Sequence, residues 1–232
     1  MNFYILVEGK CTEYKIYPAW ISYLAPHLKR VQQFDEVTED SYYIVSGYGL
    51  PSLLKNHLPN AIKDVSMCGR YDYLVIGLDA EEYSVSQRLE EVQKVIEENY
   101  DILKDTKVKV IVQNRCIESW LLGNRDIFVD RPKRRKLREY IKFYNVKHKD
   151  PELMPGFIPH RNYMPLFSTI ARFHTDYLQE IFKERNMFYA KRNPRYATKP
   201  EFLDELINRM HEKNGQLQTF KNFYEFFTSL DR

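Results

Sequence analysis

Four short apolar runs, separated by stretches with helical periodicity, constrain the fold of this chain most strongly. Each run has the length of a buried strand and ends at a charged, polar or glycine residue. The runs lie at 3–7, 42–45, 73–78 and 108–112. Helical patterns follow them at 12–25, 52–58, 84–100 and 116–123. Strands that alternate with helices predict an α/β fold with a mostly parallel sheet and helices on its faces.

After about residue 125 the sequence becomes basic, rich in prolines and mostly helical. Prolines make 150–165 irregular, and helical patterns resume at 166–189, 200–213 and 217–229. We therefore expect a first domain over 1–125 and a basic, mainly helical extension over 126–232 that packs on it. The aromatic segment FKNFYEFFTSL near the C-terminus is either a surface for self-association into a homo-oligomer or a helix of the core.

Composition and cysteine spacing exclude several classes of protein. Apolar residues make up 44% of the 232 residues, which is typical of a globular chain. No run approaches the roughly 18 apolar residues of a membrane span, and the five-residue run at the N-terminus is too short for a signal peptide. The three cysteines lack CxxC spacing, so neither a disulfide framework nor a zinc knuckle is expected. We expect a cytoplasmic protein.

The positive charge is concentrated in one strip, residues 131–149. The strip holds nine Lys or Arg residues and one Glu in a chain whose net charge is only +3, so the remainder is mildly acidic. Aromatic residues interleave with the cations, a pattern that suits phosphate and base contacts in nucleic-acid binding. A solvated helix face is the alternative interpretation. The candidate nucleic-acid contacts are Lys133, Arg134, Arg135, Lys136, Arg138 and Lys142 in the strip, with Arg161 in the following proline-rich loop.

Carboxylates follow the ends of three predicted strands. Glu8 follows the first, Asp79 with Glu81 and Glu82 follows the third, and Glu118 lies just beyond the fourth. Because parallel strands end at one edge of the sheet, these acids are expected to lie close together. Mg²⁺ or Mn²⁺, as one or two ions, would offset their repulsion and serve phosphodiester chemistry. Acids in such loops also act as helix N-caps, which is the alternative.

Three segments together resemble the motifs of TOPRIM domains, in the RloB-like and OLD-type (overcoming lysogenisation defect) branch. ILVEGKCTEYKIY is similar to the first motif, with the arrangement E-G-x-x-T-E. YLVIGLDAEEYS resembles the strand that ends in D-x-D, although Glu81 replaces the second Asp. CIESWLLGN resembles the later C-F-E-x-W-L-L segment, with Ile117 in place of the aromatic residue. The resemblance covers roughly residues 3–124 and implies a TOPRIM-like sheet.

The resemblance also implies roles for individual residues. Glu8 would be a metal ligand and general acid or base, presented by a tight turn that Gly9 permits. The other metal ligands would be Glu13, Asp79, Glu81 and Glu118, with Glu82 as an alternative to Glu81. Asp79 would also be catalytic. Lys191, in FYAKRNP, corresponds to a lysine near the end of OLD-type domains that would stabilise charge in the transition state.

These features lead to two hypotheses of different classes. The first is a metal-dependent nuclease that cleaves DNA or structured RNA such as tRNA. The resemblance implies that it is the effector of an anti-phage, abortive-infection system. The sequence has no phosphate-binding G-x-x-x-x-G-K-[ST] loop, so control by ATP would come from a partner ABC/SMC-like ATPase. The second is a TOPRIM-fold module that has lost catalysis and binds an ATPase or nucleic acid. Primases and topoisomerases need larger domains than this chain supplies.

Overall fold

A five-stranded, all-parallel sheet forms the centre of the protein. The computed structural model describes residues 1–103, 105–159, 164–212 and 215–231. The strands are β1 (Asn2–Val7), β2 (Lys29–Arg30), β3 (Ser41–Ser46), β4 (Tyr73–Asp79) and β5 (Lys107–Gln113). Their order across the sheet is β2-β3-β1-β4-β5, so β1 is central and pairs with β3 and β4. The α/β fold and its mostly parallel sheet are therefore confirmed.

Helices connect the strands and follow the sheet. They are α1 (Thr12–Leu24), α2 (Leu50–Ser52), α3 (Leu58–Cys68), α4 (Val85–Glu97), α5 (Tyr100–Leu103), α6 (Ile117–Leu121), α7 (Arg135–Phe143), α8 (Ile170–Glu184), α9 (Pro200–Met210) and α10 (Gln218–Thr228). A π-helical turn, Leu53–His57, joins α2 to α3. Residues 52–58 were expected to form one short helix, whereas the helical region extends from Leu50 to Cys68.

The two faces of the sheet carry separate apolar cores because side chains alternate along each strand. Phe3, Ile5 and Val7 of β1 face a core that includes α1, α6 and the helices of the C-terminal half. Tyr4 and Leu6 face a smaller core formed with α3 and α4. Strands β1, β3, β4 and β5 lie between these layers, which is why their sequences read as largely continuous apolar runs, whereas the two residues of β2 are exposed.

The last helix is part of the larger core. Phe220, Phe223 and Phe227 of α10 are fully buried, and the ring of Phe223 lies 5.8 Å from those of Trp20 and Trp120. The carboxylate of Glu152 accepts hydrogen bonds from the backbone N–H groups at the start of this helix. Of the two interpretations of the aromatic segment, the structure therefore supports the core helix. The C-terminal half completes one layer of the α/β sandwich.

Among the described residues, no helix is both long and apolar enough to cross a membrane.

Candidate functional site

Glu8 and Asp79 lie side by side at the carboxyl edge of the sheet. Because Val7 is paired with Gly77 in register, the ends of β1 and β4 are adjacent. The backbone N–H of Asp79 donates to Glu8 Oε2 at 3.0 Å. Asp79 Oδ1 in turn accepts from the backbone N–H of Ile117 at 3.2 Å, at the start of α6. Two strand ends and a helix start therefore converge on these carboxylates.

Glu13 reaches the same edge from the first turn of α1, by folding back over Gly9. A Cβ atom on Gly9 would lie 2.2 Å from Glu13 Oε2, so any larger residue would displace this carboxylate. Gly9 was expected to permit a tight turn, and that role stays a prediction. The structure gives a further reason for a glycine here, because the Glu13 side chain packs against its backbone.

Glu118 is fully buried and is held by two residues that are distant in sequence. The Tyr189 hydroxyl donates to Glu118 Oε1 at 2.9 Å, and Lys191 Nζ lies 3.5 Å from Glu118 Oε2. Oε2 has no hydrogen-bond partner among the described residues. Lys191 was expected near the acids and lies there. Tyr189 was missed, because only its nearness to Lys191 in the sequence pointed to it.

Helix α1 fixes the segment that carries Lys191. Thr12 Oγ1 donates to the carbonyl of Lys191 at 3.1 Å, and Lys15 Nζ donates to that of Arg192 at 2.5 Å. One turn further on, the Trp20 indole donates to the Ala197 carbonyl at 2.8 Å. The segment has little regular structure of its own, so these contacts determine where the ammonium group lies.

Burial and mutual repulsion perturb the titration of the acids. Burial raises the pKa of Glu8 and raises that of Glu13 to about 7. The pKa of Asp79 is raised well above its ordinary value by burial and by the neighbouring Glu8 and Glu13. The charge of Lys191 lowers the pKa of all three acids. In turn, the Glu118 carboxylate raises the pKa of Lys191. Burial and the neighbouring acids therefore favour the protonated forms of these carboxyl groups, against the opposing effect of Lys191.

The two glutamates in the loop after Asp79 have partners outside the group of four acids, although the charge of Glu81 still raises the pKa of Glu8. Glu81, with φ at +51°, lies 3.7 Å from the guanidinium of Arg88 and is 42% exposed. Glu82 Oε1 accepts from the backbone N–H of Ile170 at 2.6 Å, at the start of α8. Glu82 is therefore occupied as a helix cap, which argues against it as the alternative ligand. Arg88 is buried, and the sequence analysis did not predict that it would lie beside Glu81.

The donor set suits a hard divalent cation. Glu8, Glu13, Asp79 and Glu118 supply carboxylate oxygens, and Glu118 Oε2 is a buried acceptor without a hydrogen bond. In the part of the chain that the structure describes, no three acidic, His or Cys side chains already converge on one ion position. Mg²⁺ is commonly held by one or two carboxylates, with water and substrate phosphate completing its shell, so the residues fit such an ion.

An open cleft of about 720 Å³ adjoins the cluster. Asp79, Glu81 and Lys191 line it together with the loop 166–169 and residues of the first turns of α8. Arg172 and Asp176 are among these α8 residues. A ligand in the cleft would thus be within reach of carboxylates and of the cationic side chains of Lys191 and Arg172.

The basic strip is partly neutralised by acids of α8. Arg134 Nε lies 2.8 Å from Glu180 Oε2, and Lys136 Nζ lies 2.6 Å from Asp176 Oδ2. The Arg138 guanidinium donates to backbone carbonyls of residues 132 and 133. The side chains of Lys133, Arg135 and Lys142 are exposed. Arg161 lies outside the described residues.

Comparisons with known proteins assign neither a family nor a function to this chain. No protein-family model, curated protein or solved structure matches this chain.

Proposed function

We propose that this protein is a metal-dependent nuclease that hydrolyses phosphodiester bonds in DNA or in structured RNA such as tRNA. The observation that carries the proposal is the cluster of four carboxylates, Glu8, Glu13, Asp79 and Glu118, at the carboxyl edge beside Lys191. Burying so many acids together costs folding free energy. Such a cost is expected where charge is needed for catalysis.

The carboxylates would hold one or two Mg²⁺ or Mn²⁺ ions, which supply Lewis-acid stabilisation and activation of water in phosphodiester hydrolysis. Glu8 and Asp79 are fixed by backbone contacts, so they present oxygens at constant positions. Tyr189 orients Glu118 by its hydrogen bond. Lys191, whose side chain is half exposed, can turn its ammonium group towards phosphoryl oxygens and stabilise their negative charge. Glu81, which lines the cleft and is paired with Arg88, would contribute as a more distant ligand.

The substrate strand would enter through the 720 Å³ cleft. Arg172 on its wall is placed to pair with a phosphate. The exposed lysines of the strip, Lys133 and Lys142, would hold more distant phosphates. Arg134, Arg135, Lys136 and Arg138 would contribute less, because each already has an interaction within the protein.

The motif resemblance extends the proposal to the cellular role. A nuclease of the RloB-like or OLD-type branch would be a cytoplasmic effector of anti-phage defence, restrained by a partner ABC/SMC-like ATPase. Self-association into a homo-oligomer would use a surface other than the buried face of α10.

A second candidate function is a non-catalytic module that binds an ATPase or nucleic acid. Two observations favour it: Glu81 is paired with Arg88, and Lys191 already lies at ion-pair distance from Glu118. In such a module the Lys191 ammonium group would occupy the position that a metal ion takes in the nuclease.

Cleavage assays with Asp79→Asn separate the two functions. Purified wild-type and variant protein would be incubated with plasmid DNA and total tRNA, in Mg²⁺ and in EDTA. A nuclease loses at least 100-fold in rate, on the order expected when an electrostatic catalytic group is removed. The matched control is Asp101→Asn, an exposed residue of α5. Equal cleavage by Asp79→Asn and wild type would refute the assignment, and binding without cleavage by both would favour the module.

A further inference from the structure

A loop at the end of β3 lies directly against the carboxyl edge of the sheet, next to Glu8. The backbone N–H of Gly47 donates to the carbonyl of Val7 at 2.7 Å, and that of Gly49 donates to the carbonyl of Glu8 at 3.0 Å. Tyr48 lies between the two glycines, so these hydrogen bonds hold it next to the backbone of Glu8. Asp79, which lines the cleft, ends β4, and β4 lies on the other side of β1 from β3. The loop and Asp79 therefore lie on either side of Glu8 along this edge.

Tyr48 presents its ring to solvent as part of a preformed stack. The side chain is 65% exposed. Its ring lies over the imidazole of His57, with centroids 5.5 Å apart and planes inclined by 27°. Lys10 Nζ lies 5.9 Å from the centroid of the tyrosine ring. An exposed aromatic ring that is already ordered, with a cation beside it, is the arrangement on which nucleic-acid bases stack.

The backbone of this region is strained in a way that packing does not explain. Tyr48 has φ at +57°, an unfavourable value for a bulky residue, and its exposed ring gains little from burial. The facing segment Leu53–His57 is a π-helical turn, a form that occurs often at functional sites. Gly47 allows Leu53 to pack against it, because a Cβ there would lie 2.7 Å from the Leu53 Cβ. Strain of this kind is typical of binding sites.

We propose that Tyr48, His57 and Lys10 form a stacking site for an unpaired base of the nucleic-acid substrate. Tyr48 would stack on the base, His57 would hold the tyrosine ring, and exposed Lys10 would contact the neighbouring phosphate. In a duplex both faces of each base are covered by its neighbours, so only a single-stranded or looped segment can use the ring. The site rests on the proposed nuclease function for its ligand. It narrows the substrate class to strands with unpaired bases near the scissile phosphate.

Binding and cleavage by Tyr48 variants test this inference. Fluorescence anisotropy in EDTA would compare a labelled single-stranded oligonucleotide with a duplex of the same sequence, for wild type, Tyr48→Ala and Tyr48→Phe. We expect Tyr48→Ala to weaken single-strand binding by roughly 5- to 150-fold, the range of base stacking on an aromatic ring, and to change duplex binding less than 2-fold. Tyr48→Phe keeps the ring and should bind like wild type.

The control is Tyr100→Ala, which removes an equally exposed tyrosine near the opposite edge of the sheet. Thermal unfolding of each variant confirms that it is folded. Single-strand affinity within 2-fold of wild type in Tyr48→Ala, or an equal loss for duplex, would overturn the stacking site even if the wild type cleaves nucleic acid. Tyr48-dependent binding without any metal-dependent cleavage by the wild type would support the stacking site and refute the nuclease instead.

Discussion

Replacing Glu13 by Gln should stabilise the protein while abolishing its activity. In the folded state Glu13 is buried among other acids, and its pKa is raised to about 7 from the ordinary value of 4.5. The unfolded chain therefore releases this proton at lower pH than the folded chain. As pH rises from about 4.5 to about 7, the folded state binds more protons than the unfolded state, and the free energy of unfolding falls.

The size of the effect follows from the shift in pKa. The difference between a pKa of about 7 in the folded state and 4.5 in the unfolded state corresponds to about 3 kcal/mol once both states are ionised. Gln has nearly the shape of Glu but cannot ionise, so Glu13→Gln should raise the free energy of unfolding by about 3 kcal/mol at pH 8. For a chain of this size such a gain raises Tm by about 6–12 °C. Well below pH 4.5 the wild-type carboxyl is protonated in both states and the gain should vanish, and at pH 4.5 it should already be small.

Urea unfolding at pH 4.5 and pH 8, in EDTA, measures this difference. The control is Glu90→Gln on the exposed face of α4, where a change within about 0.5 kcal/mol is expected at both pH values. If Glu13→Gln is no more stable than wild type at pH 8, the carboxylate is not destabilising. If its gain is the same at both pH values, ionisation is not the cause. Either result would refute the electrostatic account of the cluster.

Three further predictions concern the site and its supports. Gly9→Ala places a methyl group against the Glu13 carboxylate and should lower the cleavage rate at least 10-fold, measured by initial rates on the cleaved polymer. Glu152→Ala leaves the first N–H groups of α10 without an acceptor and should lower the free energy of unfolding by about 2–4 kcal/mol in urea titrations. Lys142→Gln should lower the salt dependence of nucleic-acid binding by about one phosphate contact, more than Lys136→Gln, whose lysine is paired with Asp176.

The sheet could be predicted from the sequence because its strands are covered on both faces. A strand such as Tyr73–Asp79 is a continuous apolar run, and its end is marked by the first polar residue. The strand Lys29–Arg30 was missed, because two exposed basic residues have no periodicity to detect. The extent of the helix after Pro51 was also missed, because a π-helical turn shifts the spacing of its apolar residues.

The acid cluster was only partly predictable, for a physical reason. Glu8 and Asp79 meet because parallel strands end at one edge, which sequence order alone implies. The contacts of Glu118 with Tyr189 and Lys191 join residues about 70 positions apart through an irregular segment, and no local pattern encodes them. The hydrogen bond from the backbone N–H of Ile170 to Glu82 also joins residues that are far apart in the sequence, so no local pattern predicts it.

The most direct test of the central claim is the dependence of cleavage on metal and on Glu8 together. Initial rates on plasmid DNA and on total tRNA would be measured across a titration of Mg²⁺ and Mn²⁺, for wild type and Glu8→Gln. This change keeps the acceptor for the Asp79 N–H but removes the charge. We predict saturable, metal-dependent cleavage by the wild type that EDTA abolishes and that Glu8→Gln lacks at every metal concentration. Cleavage that persists in EDTA, equal rates for the two proteins, or no cleavage of either polymer by the wild type would contradict the account.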